Sequence, residues 1–372
     1  MKAAVYRGPG NVRVEDIPLP PLEPGEVLLK VEICGVCGTD LKKIAHGDLS
    51  PPRIFGHEVA GKVVSVGNGV TQWRPGDRAT FFHHIPCRLC DLCQARAYAQ
   101  CPQYLKVGTT AGFEPAGGGF SEFVKVKDWI TGGGGLIKIP EGVEPEEAAF
   151  VEPVNTALKG IEKAAIRPGQ SVLIFGSGPV GLILLQLARL KGAKVFVTDL
   201  IPERLQVAKR LGATDVFPIP APPLEKALKD ASGENRDCDP VVLWAKERID
   251  QRGADVALVA TASPQAIGSA LQAVRPAGKV VLFAQTRLGE TAPIDVGHIG
   301  KLEKELIGSY SASVDLQEEA ARLIFTRTIE VKPLITHRFP LEEIKEALRV
   351  AMNPSANSLK VMIQFPQDGM PP

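Results

Sequence analysis

The chain has 372 residues and a mass of 39.8 kDa, room for two domains of ordinary size. Hydrophobic residues make up 44% and charged residues 23%, with a net charge of +1, which disfavours disorder and argues against a nucleic-acid or anionic-membrane partner. The opening MKAAVYRGPG lacks an apolar signal core and no run approaches the ~18 apolar residues of a membrane span, so a cytoplasmic protein is expected. Residues 1 to about 130 carry short Val-rich runs broken by Gly and Pro (EVLLKVEICGVC, EVAGKVVSVG, DRATFF, FSEFVKV), the texture of a barrel-like or sandwich-like domain. The segment PEGVEPEEAAFVEPVNTALKGIEKAA then turns helical. From Gln170 the wholly apolar strand SVLIFG, the helix PVGLILLQLARLKG, the strand AKVFVTDL and the helix PERLQVAKRLGA follow, with further strands at ADVALVATA and KVVLFA. This alternation predicts an α/β, doubly wound parallel sheet over residues 155–295. A polar excursion from residue 221 to 253 reads as a surface connection plus a helix, with Cys238 a bystander. The last strand, LKVMIQF, is expected to return to the first domain, making it 1–154 with 296–372, and the tail QDGMPP is expected to be loose.

Cys87, Cys90, Cys93 and Cys101 are spaced C-x2-C-x2-C-x7-C. Four thiolates at this spacing suit a closed, tetrahedral, structural zinc site. A bacterial iron–sulfur run would place its last cysteine after three residues and add proline. Disulfides fit poorly, because neighbouring C-x2-C pairs bridge badly and seven cysteines leave one over. Arg88 and Arg96 make no basic stripe, so nucleic-acid binding by this loop is disfavoured.

Gly176, Ser177, Gly178, Pro179, Val180 and Gly181 form G-x-G-x-x-G between the first strand and first helix of the doubly wound region. That context makes the motif a dinucleotide turn: tight bend, close approach to pyrophosphate, close helix–strand packing. Asp199 ends the next strand, where a carboxylate accepts ribose hydroxyls and repels a 2′-phosphate, favouring NAD; it could also cap the following helix. Arg204 could stack on adenine or receive a phosphate. By topology Ala260, Thr261, Ala262, Phe283 and Ala284 would flank the nicotinamide half.

A second metal constellation is spread wider. Cys37 in GVCGTD, His57 and Glu58 in GHEVAG, and Glu152 in FVEPVN supply a thiolate, an imidazole and one or two carboxylates. Three donors with an open corner describe a catalytic zinc, at which an alcohol loses its proton readily and hydride passes to nicotinamide. Asp40 could hold the second ring nitrogen of His57. Cys34 reads as a core thiol, and Phe55 and Phe113 as candidate pocket walls.

In the order GVCGTD, GHEVAGKVVSVG, RPGDRA, the four-cysteine run, GSGPVG and VKPLITHRFPLEEI, the chain resembles the zinc-dependent medium-chain dehydrogenases over nearly its full length, and the Glu152 pattern resembles the polyol branch that includes sorbitol dehydrogenases. The resemblance implies a GroES-like catalytic domain built from both ends of the chain, a Rossmann NAD domain, and a homodimer or homotetramer. It implies Cys37, His57 and either Glu58 or Glu152 around catalytic zinc, and Thr39 as acceptor of the alcohol proton. The family's relay histidine is replaced by Lys42, with His46 nearby, and IGSYSASVD replaces an arginine-containing stretch near the substrate. The expected reaction is reversible oxidation of a secondary hydroxyl of a polyol, sugar or cyclitol. A threonine or amino-alcohol substrate, a general alcohol or aldehyde reductase, and a silent binding protein on the same scaffold are the alternatives.

Overall fold

The computed structural model describes every residue except 48, 221–238, 287, 293, 354, 356 and 367–372. Most of the polar excursion, with Cys238, and the QDGMPP tail therefore lie outside the described residues. The chain divides into two compact units: Met1–Asn155 with Ala312–Pro372, and Thr156–Ser311.

The first unit is built on a sheet whose main path runs Ile335–Pro340, Lys360–Gln364, Val27–Gly35, Glu58–Val66, Arg78–Phe81, Leu136–Lys138. Val27–Gly35 is its pivot. Eight of its nine residues are buried, and it pairs antiparallel with Lys360–Gln364, Glu58–Val66 and Phe123–Val126. Strands buried this thoroughly need apolar side chains on both faces, which the run VLLKVEICG supplies. The pairing brings Gly35 opposite both Glu58 and Met362, so residues more than three hundred positions apart meet on one strand.

The second unit holds six parallel strands in the order Asp215–Pro218, Lys194–Asp199, Ser171–Phe175, Ala254–Val259, Val274–Leu282, Glu305–Gly308. Numbered by sequence this is 3-2-1-4-5-6, the doubly wound order whose reversal point lies beside the first strand. Val172, Leu173, Ile174 and Phe175 are all at most 2% exposed, because helices cover such a sheet on both faces. Residues 296–311 differ from the expected division. Glu305–Gly308 extends the parallel sheet as its sixth strand, and the return to the first unit begins at Ala312. Its four residues, ELIG, form an edge strand with little burial; like DVFP at the opposite edge, Asp215–Pro218, also absent from the strands expected from the sequence, they lack the apolar run that marked the four central strands.

Candidate functional site

The helix Gly38–His46 begins at Cys37, which serves as its N-cap. The Cys37 sulfur accepts the N–H of Thr39 at 3.5 Å, and Asp40 Oδ2 accepts the N–H of Cys37 at 3.4 Å. This reciprocal capping box fixes the Cys37 sulfur at the start of the helix. His57 immediately precedes the strand Glu58–Val66. Its Nδ1 lies 3.1 Å from Asp40 Oδ1, which leaves Nε2 for other partners. Donor atoms of Cys37, His57 and Glu58 all lie within 4.8 Å of one another, with His57 and Glu58 buried.

Lys360 completes the surroundings of this cluster. It arrives on the last strand, pairs with Glu58, and donates to the carbonyl of Val36 at 3.1 Å. Lys360 is 6% and Glu58 2% exposed. A side chain at Gly35 would put its Cβ 2.0 Å from Glu58 Oε2 and 2.8 Å from Lys360 Cε, so this pair requires glycine there. Burial pushes the Lys360 ammonium down, but the charges of Glu58 and Cys37 more than offset it and leave it raised. His57 shows the same balance: burial lowers it, while Asp40 and Cys37 raise it well above its ordinary value. A buried place that favours positive charge on two different groups, and presents sulfur, nitrogen and oxygen together, fits a divalent zinc ion.

Glu152 lies outside this donor cluster, in the first turn of the helix Val151–Ala164, though its charge reaches Lys360. Thr39 is half-buried beside Cys37, whereas Lys42 and His46 are exposed on the same helix. The lysine whose charge is felt by Asp40 and by His83 is Lys43. His83 was not anticipated: it is buried, with its ring 4.8 Å from that of His57. Cys34 is fully buried and its thiol is raised by burial, as befits a core residue. Phe55 packs edge-on against Tyr6 in the core at 2% exposure, so it is no pocket wall. Phe113 instead lines a separate cavity of about 350 Å³ with Pro18, Pro20 and Pro115.

The cysteines at 87, 90, 93 and 101 also meet within 4.8 Å. Their sulfur–sulfur distances of 3.5, 3.5 and 3.9 Å match the edge of about 3.8 Å that a tetrahedron with Zn–S near ~2.3 Å requires. Backbone N–H groups of Cys87 and Cys90 point at the sulfurs of Cys101 and Cys87, at 3.3 and 3.4 Å. Burial opposes ionisation of Cys101, but the N–H groups of Cys87, Tyr104 and Gln103 and the Cys87 thiol prevail and bring it down to about 6. Cys101 is thus held towards thiolate, the form that binds metal, whereas burial and the neighbouring thiols push Cys93 up to about 12.

In the second unit the glycine turn has the expected form. Gly176 sits at φ +96°, Gly178 caps the helix Pro179–Leu190, and a Cβ on Gly181 would lie 1.9 Å from the Gly176 carbonyl oxygen. Asp199 Oδ2 accepts the N–H of Ser177 at 2.5 Å and its hydroxyl at 2.8 Å, while Oδ1 accepts the N–H of Ile201 at 2.8 Å. Asp199 is therefore not the N-cap of the following helix; Ile201 holds that position. One lone pair on Oδ1 is left for a further donor. Arg204 lies beside Gly178 and feels the Asp199 charge. Thr261 approaches Gly176, and Phe283 packs on Gly160, both just past the carboxyl ends of their strands. Among the described residues no helix is long and apolar enough to cross a membrane.

Residues 23–141 match the alcohol dehydrogenase GroES-like domain, and residues 179–326 match the zinc-binding dehydrogenase domain. The chain is 30% identical to a sorbitol dehydrogenase of Bacillus subtilis over 369 residues, which covers 98% of this chain and 97% of the relative. A zinc-binding dehydrogenase of Sinorhizobium meliloti bound to NADP has the same fold, with a TM-score of 0.82, 29% identity, and coverage of 98% and 99%. Galactitol-1-phosphate dehydrogenase of Escherichia coli follows at a TM-score of 0.80, 27% identity, and coverage of 98% and 100%. A GroES-like unit bearing a Cys–His–Glu cluster and a cysteine knuckle, with a 3-2-1-4-5-6 sheet, places the chain in the zinc-dependent medium-chain dehydrogenase family, in its polyol dehydrogenase branch.

Proposed function

We propose that this protein is an NAD-linked zinc dehydrogenase that reversibly oxidises a secondary hydroxyl of a polyol, sugar or cyclitol to the ketone. The observation that carries the reading is the convergence of half-buried Cys37 with buried His57 and Glu58, three donors whose atoms lie within 4.8 Å of one another, as a three-ligand zinc site requires. Zinc bound there supplies the Lewis acidity that makes a hydroxyl proton easy to remove. Cys37, His57 and Glu58 would hold it, with Glu152 at the margin, and Asp40 fixes the ring of His57 so that Nε2 faces the metal. Thr39, held half-buried two residues after Cys37, accepts the hydrogen bond of the substrate hydroxyl and begins a relay, receiving its proton as it passes its own on to water. Cys87, Cys90, Cys93 and Cys101 would hold a second, structural zinc.

The cofactor residues divide the dinucleotide between them. The turn Gly176–Gly181, with Ser177, Pro179 and Val180, offers N–H groups to the pyrophosphate at a helix start. Asp199 keeps its remaining lone pair for a ribose hydroxyl, Arg204 flanks the adenosine, and Thr261 and Phe283 flank the nicotinamide half. A carboxylate at this position disfavours a 2′-phosphate, so NAD is the proposed cofactor rather than NADP. A homodimer or homotetramer in the cytoplasm completes the reading. The test is NADH formation over a panel of polyols. An enzyme that binds zinc and NAD yet turns over no alcohol refutes it.

A further inference from the structure

The glycine turn of the second unit is joined to the acid at the end of the next strand by a contact that the G-x-G-x-x-G pattern does not demand. Ser177, between the first two glycines, is fully buried, and Asp199 is 8% exposed. Oδ2 of Asp199 accepts both the N–H and the hydroxyl of Ser177, at 2.5 and 2.8 Å, while Oδ1 accepts the N–H of Ile201 at 2.8 Å. Two of these three donors are main-chain groups that any residue except proline would supply. The hydroxyl is the one donor that depends on which side chain stands at position 177.

A carboxylate oxygen offers two lone pairs, so Oδ2 is saturated and Oδ1 keeps one. Beside it lies the opposite charge. A Cβ built on Gly178 would come 3.8 Å from Nη1 of Arg204, and the Asp199 charge reaches that guanidinium. The end of the turn therefore carries one anion and one cation side by side. A guanidinium there accommodates a 2′-phosphate, and a carboxylate there repels it. Which of them prevails depends on how firmly the carboxylate is held. Without the hydroxyl, Oδ2 would face a fully buried position with one lone pair unmet, and that cost favours another orientation of the side chain.

We propose that Ser177 is a positioning residue for cofactor choice: its hydroxyl pins the Asp199 carboxylate beside Arg204, so that a ribose hydroxyl is accepted and a 2′-phosphate is refused. The assignment rests on the dehydrogenase reading and names what enforces its preference for NAD. It differs from a role in shaping the turn, which would serve both dinucleotides alike, because the pyrophosphate is common to them.

The test is equilibrium binding of NADH and NADPH to the zinc-loaded enzyme, followed by nicotinamide fluorescence, with the ratio of the two Kd values as readout. The wild type is expected to bind NADH more tightly. Ser177→Ala is expected to shrink the preference roughly tenfold, the scale of one hydrogen bond to a charged group. Ser177→Cys, which keeps the size and a weaker donor, should fall between the two. In an Asp199→Ala background, adding Ser177→Ala should move the ratio by less than about twofold, since the group it positions is gone. Equal weakening of both dinucleotides by Ser177→Ala, an unchanged ratio, or the same tenfold change without the Asp199 carboxylate overturns the assignment and leaves the dehydrogenase reading standing. A wild-type enzyme that binds neither dinucleotide overturns both.

Discussion

The two metal constellations of this chain use overlapping chemistry and opposite construction. The knuckle draws four sulfurs from fifteen consecutive residues, on a loop where Cys87 is exposed and Arg88 and Arg96 face solvent. The Cys37 cluster draws a helix cap, the residue before a strand and that strand's first residue together, buries the last two, and adds a lysine from the end of the chain. A loop that must be closed by its own metal can be written locally. A site that must leave one side open needs its remaining sides held by the fold, since no fourth ligand will hold them.

The sharpest break between the two sites is expected from Cys37→Ser. Losing the thiolate from a Lewis-acid site forfeits several kcal/mol of transition-state stabilisation, so kcat/KM for any polyol should fall by roughly 10³-fold or more. Metal analysis should find one zinc per chain where the wild type holds two. The fold should survive, because Cys37 caps a nine-residue helix whose other bonds remain. Loss of both metals, or a melting temperature far below the wild type, would show that the two sites are not independent.

Lys360→Met tests what the buried site needs that the knuckle does not. Removing one partner of a buried ion pair leaves an uncompensated charge and costs about 3–5 kcal/mol. Without metal, Glu58 would then be buried beside Cys37 with no cation at hand, so the metal-free variant should be destabilised by that amount. A divalent ion replaces the missing charge, so zinc should rescue the variant more than it stabilises the wild type. Equal destabilisation with and without zinc would mean that Lys360 serves packing against Phe150 rather than charge balance.

This contrast also explains what could be read from the amino-acid order alone. The knuckle is legible because its spacing is its geometry. The parallel sheet is legible because its four central strands are largely apolar runs, and its two four-residue edge strands, at residues 215–218 and 305–308, are the ones that escaped. Cys37 and His57 stand out because thiols and imidazoles are rare in this chain, and Glu58 because it directly follows His57. Lys360 carries no such mark: one lysine in LKVMIQF becomes part of the site only through the pairing that sets Gly35 between Glu58 and the last strand. His83 and Lys43 are silent for the same reason, since strand register and helix rotation, rather than local pattern, bring them to His57 and Asp40. Lys42, chosen by position alone, falls on the exposed side.

At the knuckle, Cys101→Ser should act on stability and spare chemistry. Cys101 is the fully buried sulfur of the four, and its loss should open the loop locally by about 3 kcal/mol, which makes tryptic cleavage after Arg88 and Arg96 roughly 100-fold faster. Turnover by the molecules that remain intact should stay within a few-fold of the wild type. A collapse of turnover as deep as that of Cys37→Ser would erase the division of labour between the sites.

The smallest effect comes from a buried cluster that no metal should touch. Glu26, 3% exposed, pairs with Lys125 at 3.1 Å and Lys127 at 3.0 Å, the same groups as Glu58 and Lys360 but with no sulfur or imidazole beside them. Burial raises the Glu26 carboxyl, but the Glu23 N–H and the two lysines outweigh it and hold it below its ordinary value of 4.5. A carboxyl depressed in the folded state contributes stability that is fully present above its unfolded pKa and is lost as pH falls through 4.5 towards the folded value. Glu26→Gln should therefore cost about 1–2 kcal/mol at neutral pH and flatten the acid limb of the stability curve below pH ~4.5. Because Lys125 keeps its bond to the Pro21 carbonyl at 2.9 Å, its charge is not stranded when the carboxylate goes. A chelator should leave this loss unchanged while it deepens that of Lys360→Met, and that difference separates an ion pair that serves the fold from one that waits for a metal.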